Sequence, residues 1–263
     1  MNKKLSGAQM VLVPINRLGQ NKFPFVENIK RRYIKYIDFY PATYLPGTSV
    51  AGTTSTTNMF VTIYNSVGNT QLMRDLPLER FNYKQTLGVR QQVGSYISLS
   101  DCYVNCQNQA MVGTMAAFIF WYDLPEFSER NTTDSTCIDF VSIPLTNSTR
   151  YNLFPDDDKM VGKRFRRIYA SAPSKTPDYR NGVESSELEN LYLTLRKGSY
   201  NVLENVPVAM LNQLTMLEKS EFQNIIFDFN SSYITIGGAG TIPNVQTDYI
   251  GKSVFLNLEY ANI

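Results

Sequence analysis

The segment Val61–Asn82 reads VTIYNSVGNTQLMRDLPLERFN, and Leu191–Asn212 reads LYLTLRKGSYNVLENVPVAMLN. Laid over each other at an offset of 130 residues, they share punctuation more than letters. Val61 and Ile63 meet Leu191 and Leu193, and Gly68 meets Gly198. Leu72 meets Val202, Leu76-Pro77-Leu78 meets Val206-Pro207-Val208, and Asn82 meets Asn212. Each segment is a run with apolar residues at alternate places, then a glycine turn, a second run, and a proline that ends it. The glycine and proline matches carry the most weight, because glycine admits left-handed turns and proline removes a ladder donor. The reading is a strand–turn–strand unit that occurs twice.

Working outward, the same register continues. Val13-Pro14-Ile15 lies over Ile143-Pro144-Leu145, and Ile97, Leu99 and Tyr103 lie over Phe227, Phe229 and Tyr233. With a one-residue slip, Asn21, Phe23 and Pro24 meet Asn152, Phe154 and Pro155, and Ile34 and Ile37 meet Phe165 and Ile168. An insertion near Thr241–Asp248 raises the offset to 138, where Gly113, Phe118, Phe120 and Tyr122 meet Gly251, Leu256, Leu258 and Tyr260. Identities alone are few. The warrant is the order of the anchors at a nearly constant offset, as expected of a duplicated unit.

Period-2 alternation predicts strands near 10–15, 33–41, 58–65, 70–76, 85–93, 95–105 and 113–123, with counterparts in the second half. Ser95–Asn105 is expected to be one strand, with Ile97, Leu99, Asp101 and Tyr103 on one face. Asp101 is then a buried, hydrogen-bonded structural group. Met210, Leu211, Leu214 and Leu217 fall at helical spacing and predict a helix over Val208–Lys219; Glu79–Gln85 is a shorter candidate. The chain is therefore expected to be all-β, built as two tandem jelly-roll β-barrels with one or two short helices. The expected domains are residues 1–123, a polar linker at 124–138 and residues 139–263.

The 263 residues, 43% hydrophobic and 18% charged, suffice for two such units, and the net charge of +2 makes no whole-chain case for nucleic-acid binding. With no histidine, Ser-His-Asp and Cys-His catalysis, histidine metal sites and a histidine pH switch are excluded. Cys102, Cys106 and Cys137 read as free thiols of a protein made in a reducing cytoplasm. The apolar run Met10–Val13 is too short for the core of a signal peptide, and no stretch approaches the ~20 apolar residues that span a bilayer.

Few residues suggest chemistry. Asp156-Asp157-Asp158 lacks the glycine and glutamate spacing of a calcium loop and reads as a solvated turn. Gly237-Gly238-Ala239-Gly240 lacks the Gly-Lys-Ser/Thr ending of a phosphate loop. No spacing selects a carboxylate pair for glycoside hydrolysis. The expectation is a protein that is not an enzyme, with no cofactor, no metal and no specific small-molecule ligand. Two basic clusters stand out: Lys30, Arg31, Arg32 and Lys35, and Lys163, Arg164, Arg166 and Arg167. The repeat places them at equivalent ends of two barrels, where they either contact anionic lipid or nucleic acid or form an ordinary solvated strand start.

With its paired units Val61–Asn82 and Leu191–Asn212 and its paired closing strands Gly113–Tyr122 and Gly251–Tyr260, the chain resembles the double-jelly-roll major capsid proteins of tailless icosahedral viruses. In size it is most similar to those of the lipid-containing single-stranded-DNA bacteriophages of flavobacteria. The resemblance covers nearly the whole chain and is architectural, without a diagnostic short motif. It implies a homotrimer that forms a pseudo-hexagonal capsomer and tiles an icosahedral shell. The implied partners are neighbouring capsomers, other capsid proteins such as a penton, and an internal membrane facing the basic clusters. The implied location is the virion, after synthesis in a host cytoplasm. Low charge density and 13% aromatic residues suit large, partly apolar interfaces. The alternatives are another virion component (a penton, head-decoration or fibre protein) and a carbohydrate-binding β-sandwich module.

Overall fold

A computed structural model of the protein describes residues 6–66, 70–83, 91–123, 136–146, 152–155, 160–171, 182–183, 187–215, 225–238 and 249–261. The chain is all-β. It divides into two compact units, one of Ala8–Leu45 and Val50–Asp123, the other of Leu124–Ile263 with Met1–Gly7 and Pro46–Ser49. They are called the N-terminal and C-terminal units below.

In the N-terminal unit the strands are β1 (Ser6–Pro14), β2 (Gly19–Lys22), β3 (Tyr33–Tyr40), β4 (Met59–Tyr64), β5 (Gln71–Pro77), β6 (Gln91–Tyr96), β7 (Tyr103–Cys106) and β8 (Met115–Asp123). Within the unit they are hydrogen-bonded in the orders β1-β8-β3-β6 and β2-β7-β4-β5, which make its two layers. Between the sheets lies an aromatic core. Phe23 meets Phe118 and Phe120 at 5.0 and 5.9 Å between ring centroids, and Phe39 meets Phe118 at 5.7 Å. Each such ring contributes roughly 1.5–3 kcal/mol by leaving water. A four-residue helix, α1 (Glu27–Lys30), leads into β3 and is anchored by the fully buried Ile29.

In the C-terminal unit the strands are β9 (Thr136–Pro144), β10 (Asn152–Leu153), β11 (Arg164–Ser171), β12 (Leu191–Lys197), β13 (Tyr200–Pro207), β14 (Tyr233–Ile236) and β15 (Ser253–Ala261). Within the unit these strands are hydrogen-bonded in the orders β9-β15-β11 and β10-β14-β12-β13. Among the described residues, the position of β6 is held by one bridge, in which Phe165 pairs with Ile225. Substituting counterpart for counterpart, the two units have the same strand order. Helix α2 (Val208–Thr215) follows Pro207, and a 3₁₀ turn at Leu78–Phe81 follows Pro77 in the N-terminal unit.

The duplication extends to individual hydrogen bonds, with β12 set two residues further along than the offset of 130 places it: Val61 pairs with Leu76 as Leu193 pairs with Val206. Asp75 in β5 and Asn205 in β13 both have positive φ, 44° and 52°. Each donates its backbone N–H to a buried threonine hydroxyl on the partner strand, Thr62 and Thr194, at 3.1 Å in both cases. Asn21 Oδ1 accepts from Asn16 N, and Asn152 Oδ1 from Thr146 N, both at 2.9 Å. Gly113 (φ 92°) and Gly251 (φ 88°) donate to Ile15 O and Leu145 O. Cys102 and Ser232 occupy one role: each donates its side-chain hydrogen to the carbonyl four residues earlier and accepts a strand amide, from Tyr64 and Arg196. Such bonds are retained because a buried polar group left without a partner costs about 1–3 kcal/mol.

Several expectations need correction. Ser95–Asn105 is not one strand. β6 ends at Tyr96, and a turn precedes β7. Ser98 O accepts from Asp101 N and Cys102 N, and Ser98 Oγ donates to Asp101 Oδ2 at 2.5 Å, so local side-chain bonds replace the ladder there. Asp101 is accordingly a half-buried turn residue. The short strands β2 and β10 escaped the alternation because they are polar and brief. β9 begins at Thr136, inside the stretch expected as linker; residues 124–135 lie outside the described residues, as do Asp156-Asp157-Asp158 and Ala239-Gly240. Of the helix expected over Val208–Lys219, the described part ends at Thr215.

Candidate functional site

The basic residues singled out in the sequence fall at the starts of β3 and β11, which are counterparts. Both strands carry a bulge there: the β3–β8 register shifts between Ile34 and Tyr36, and the β11–β15 register between Phe165 and Arg167. The bulged residues are Lys35 and Arg166, and a bulge re-aims the extra side chain relative to the pleat. Duplication has therefore kept a cation at the bulge of both units.

The surroundings of these cations are also paired. Arg32 lies over the ring of Tyr122 at 5.8 Å, and its counterpart Lys163 over the ring of Tyr260 at 5.3 Å. A cation on an aromatic face gains ~0.5–1 kcal/mol at exposed sites and keeps its charge available to solvent. Lys30 sits over Phe25 at 5.3 Å. Arg31 is exposed, and Arg164 and Arg166 are half-buried.

Lys35 and Arg167 each have a carboxylate partner within their own unit. Lys35 Nζ pairs with Asp123 Oδ1 at 2.5 Å, and Arg167 with Glu259 at 3.8 Å. Sequence grouping thus overstated the positive charge of each cluster, because the carboxylates arrive from β8 and β15, far along the chain. Tyr122 and Tyr260 are the residues that reading the basic runs missed. Their alignment at offset 138 was the available signal. Burial, followed by the nearby Asp139 and Cys137, raises the Tyr260 phenol above its ordinary value; burial and then Glu259 raise Tyr169. Both remain neutral donors beside the cations.

Other candidates offer less. A depression of about 430 Å³ in the N-terminal unit is lined by Pro14, Asn16, Arg17, Gln20, Asn21 and Lys22. The Asn21 amide there is committed to backbone, donating to Arg17 O and Gly19 O and accepting from Asn16 N and Arg17 N. All three thiols are free; Cys102 and Cys106 are buried, and burial pushes Cys102 up to about 12. A thiol held protonated in this way is a poor nucleophile. Among the described residues no group of three or more acidic or cysteine side chains forms a metal cage, and no helix is long and apolar enough to cross a membrane.

The outward side of β9, which no sequence motif marks, leaves Ile138 61% and Phe140 42% exposed. Phe140 stacks on Phe255 of β15 at 5.1 Å and 15°. The signal was a strand apolar on both faces, since Val141 and Ile143 face the core while Ile138 and Phe140 face out. Comparison of the chain with known protein families, with curated proteins and with solved structures finds no match.

Proposed function

We propose that the chain is a viral major capsid protein: two tandem jelly rolls whose homotrimer forms a pseudo-hexagonal capsomer of an icosahedral shell. The observation that carries this reading is the repeated strand order, β1-β8-β3-β6 with β2-β7-β4-β5 and β9-β15-β11 with β10-β14-β12-β13. Eight strands in two facing Greek-key sheets are the content of a jelly roll, a fold frequent among capsid proteins. A chain with two units of this strand order, bonded alike at Thr62 and Thr194, places six similar units around a threefold axis in a trimer. The work is assembly and containment rather than turnover, with neighbouring capsomers and a penton as partners and the virion as location.

Purified protein is expected to run as a trimer, near three times 29.9 kDa, by mass photometry, and to form hexagonal arrays on a grid. A strict monomer at high concentration overturns the reading. The cations at the starts of β3 and β11 supply a contact for an internal membrane. Reversing the charges of Arg31, Arg32, Arg166 and Arg167 together is expected to weaken binding to anionic liposomes; unchanged binding removes the lipid from the partners. A carbohydrate-binding module is less well supported. The exposed pair Tyr33 and Tyr96 meets edge to face, at 80°, and offers no flat platform to a sugar ring.

A further inference from the structure

The start of β3 gathers rings as well as charge. From Phe25 to Lys35 the chain carries four basic residues, Lys30, Arg31, Arg32 and Lys35, against one acidic residue, Glu27. Lys35 pairs with Asp123; among the described residues no carboxylate pairs with Lys30, Arg31 or Arg32. Exposed aromatic side chains run through the same stretch. Phe25 is 63% exposed, and Lys30 sits over its ring at 5.3 Å. Tyr33 precedes the fully buried Ile34 and so takes the outward side of β3. It pairs in register with Tyr96, the last residue of β6, and the two rings meet at 5.5 Å. Tyr33 and Tyr96 are 37% and 47% exposed. The Tyr33 hydroxyl reaches to Gly94, 3.5 Å from the place of a Cβ there, so β6 offers that ring bare backbone. Lys30, Arg31, Arg32 and Tyr33 are consecutive, so about 11 Å of chain at most links the two aromatic sites.

The other unit supplies the contrast. Arg164 and Ile226 stand where Tyr33 and Tyr96 do, because Ile34 pairs with Ser95 as Phe165 pairs with Ile225. Both are half-buried. In the sequence, Asp156 takes the place of Phe25. The cations thus recur in both units, and this group of exposed rings belongs to the N-terminal unit. The shared fold does not call for the rings, and apolar surface left exposed among cations marks an interaction site.

We propose that Phe25, Tyr33 and Tyr96 enter the headgroup region of an anionic bilayer while Lys30, Arg31 and Arg32 hold its phosphates. The inference rests on the lipid contact proposed above and names the side chains that make it an anchor rather than an attraction of charges alone. A bilayer interface takes this combination. Aromatic rings leave water among the headgroups, tyrosine keeps its hydroxyl wet, and the cations stay at the anionic surface. Nucleic acid fits less well. Bases stack on open, flat faces, whereas Lys30 covers one face of Phe25 and the two tyrosines meet at 80°.

The test uses the full chain and vesicles of phosphatidylcholine with phosphatidylserine, at low salt and at high salt. The wild type is expected to bind at low salt and to keep part of its binding at high salt, where screening removes the attraction of charges. Phe25→Ser combined with Tyr96→Ser is expected to lose the salt-resistant part and to bind about tenfold less at low salt. Ile138→Ser, at an exposed apolar residue of the C-terminal unit, is expected to match the wild type. In Phe25→Trp, lipids brominated on their acyl chains are expected to quench the added fluorescence, while the buried Trp121 of the wild type stays unquenched. If the double variant loses its β-sheet circular dichroism, Phe25→Ser alone replaces it. Salt-resistant binding by the double variant, or no quenching in Phe25→Trp, overturns the anchor and leaves an attraction of charges. A wild type that binds no vesicle overturns the lipid contact as well. Binding to a single-stranded oligonucleotide in place of vesicles, lost in the double variant, assigns the surface to nucleic acid and overturns the proposal. The capsid reading is decided separately, by the trimer in mass photometry.

Discussion

The two units keep the same internal bonds and differ in what they turn outward. Inside, Thr62 and Thr194 brace the same left-handed residue, and Cys102 and Ser232 bridge the same carbonyl and amide. On the face of β3 and β8, a buried Trp121–Asp38 hydrogen bond stands where the C-terminal unit has Glu259, Tyr169 and Arg167. Duplicated halves are held alike where a change strands a buried polar group. They diverge where the group faces either solvent or a cover.

This contrast breaks first at Trp121. Trp121→Ala is expected to cost about 3–5 kcal/mol in chemical denaturation, as for other buried aromatics, and leaves Asp38 buried without that donor. Its counterpart Glu259→Ala is expected to cost less than about 1 kcal/mol, because its partner Arg167 is 42% exposed and water screens the pair. Equal losses at the two positions would mean that the faces are not differently covered.

A second comparison tests the sameness. Thr62→Val and Thr194→Val each remove the hydroxyl that accepts from Asp75 N or Asn205 N. Each is expected to cost about 1–3 kcal/mol, with the two values close together. A large effect at one site and none at the other would show that the shared bond carries load in one unit only.

The smallest effect concerns Cys102. Because Ser232 fills the same role with a hydroxyl, Cys102→Ser keeps both hydrogen bonds and is expected to change stability at neutral pH by about 1 kcal/mol or less. Above pH 9 the two proteins separate. The Cys102 thiol, raised from 9.0 to about 12, stays protonated in the folded chain while the unfolded chain ionises. Its stabilising contribution is full below pH 9 and is lost between pH 9 and about pH 12. Near pH 10 the loss is about 1.4 kcal/mol. The serine variant lacks this loss, and denaturation midpoints from pH 8 to pH 10.5 measure the difference.

Much of the architecture was legible in the sequence, because it rests on short-range chemistry. Pro77 and Pro207 end strands, Gly113 and Gly251 adopt left-handed turns, and the apolar faces of β4 and β12 alternate. What escaped depended on partners far along the chain. The turn at Ser98–Asp101 overrides an alternating pattern through side-chain bonds that a period-2 count does not register. The charge of the basic clusters is set by Asp123 and Glu259, about 90 residues from the cations with which they pair. The cover over Trp121, and its lack over Phe140, depends on packing that alternation along a strand does not encode.

The left-handed residue at Asp75 has one more consequence. β5 is a strand at the end of its sheet, and a flat, regular strand there could template sheet growth without limit, as in a fibril. The register of β4 with β5 shifts between Val61 and Ile63, opposite the Asp75 kink, so the ladder is broken and twisted along that margin. Such a margin is a poor template for an endless stack. A kink of one residue thereby guards the chain against growth into an insoluble thread.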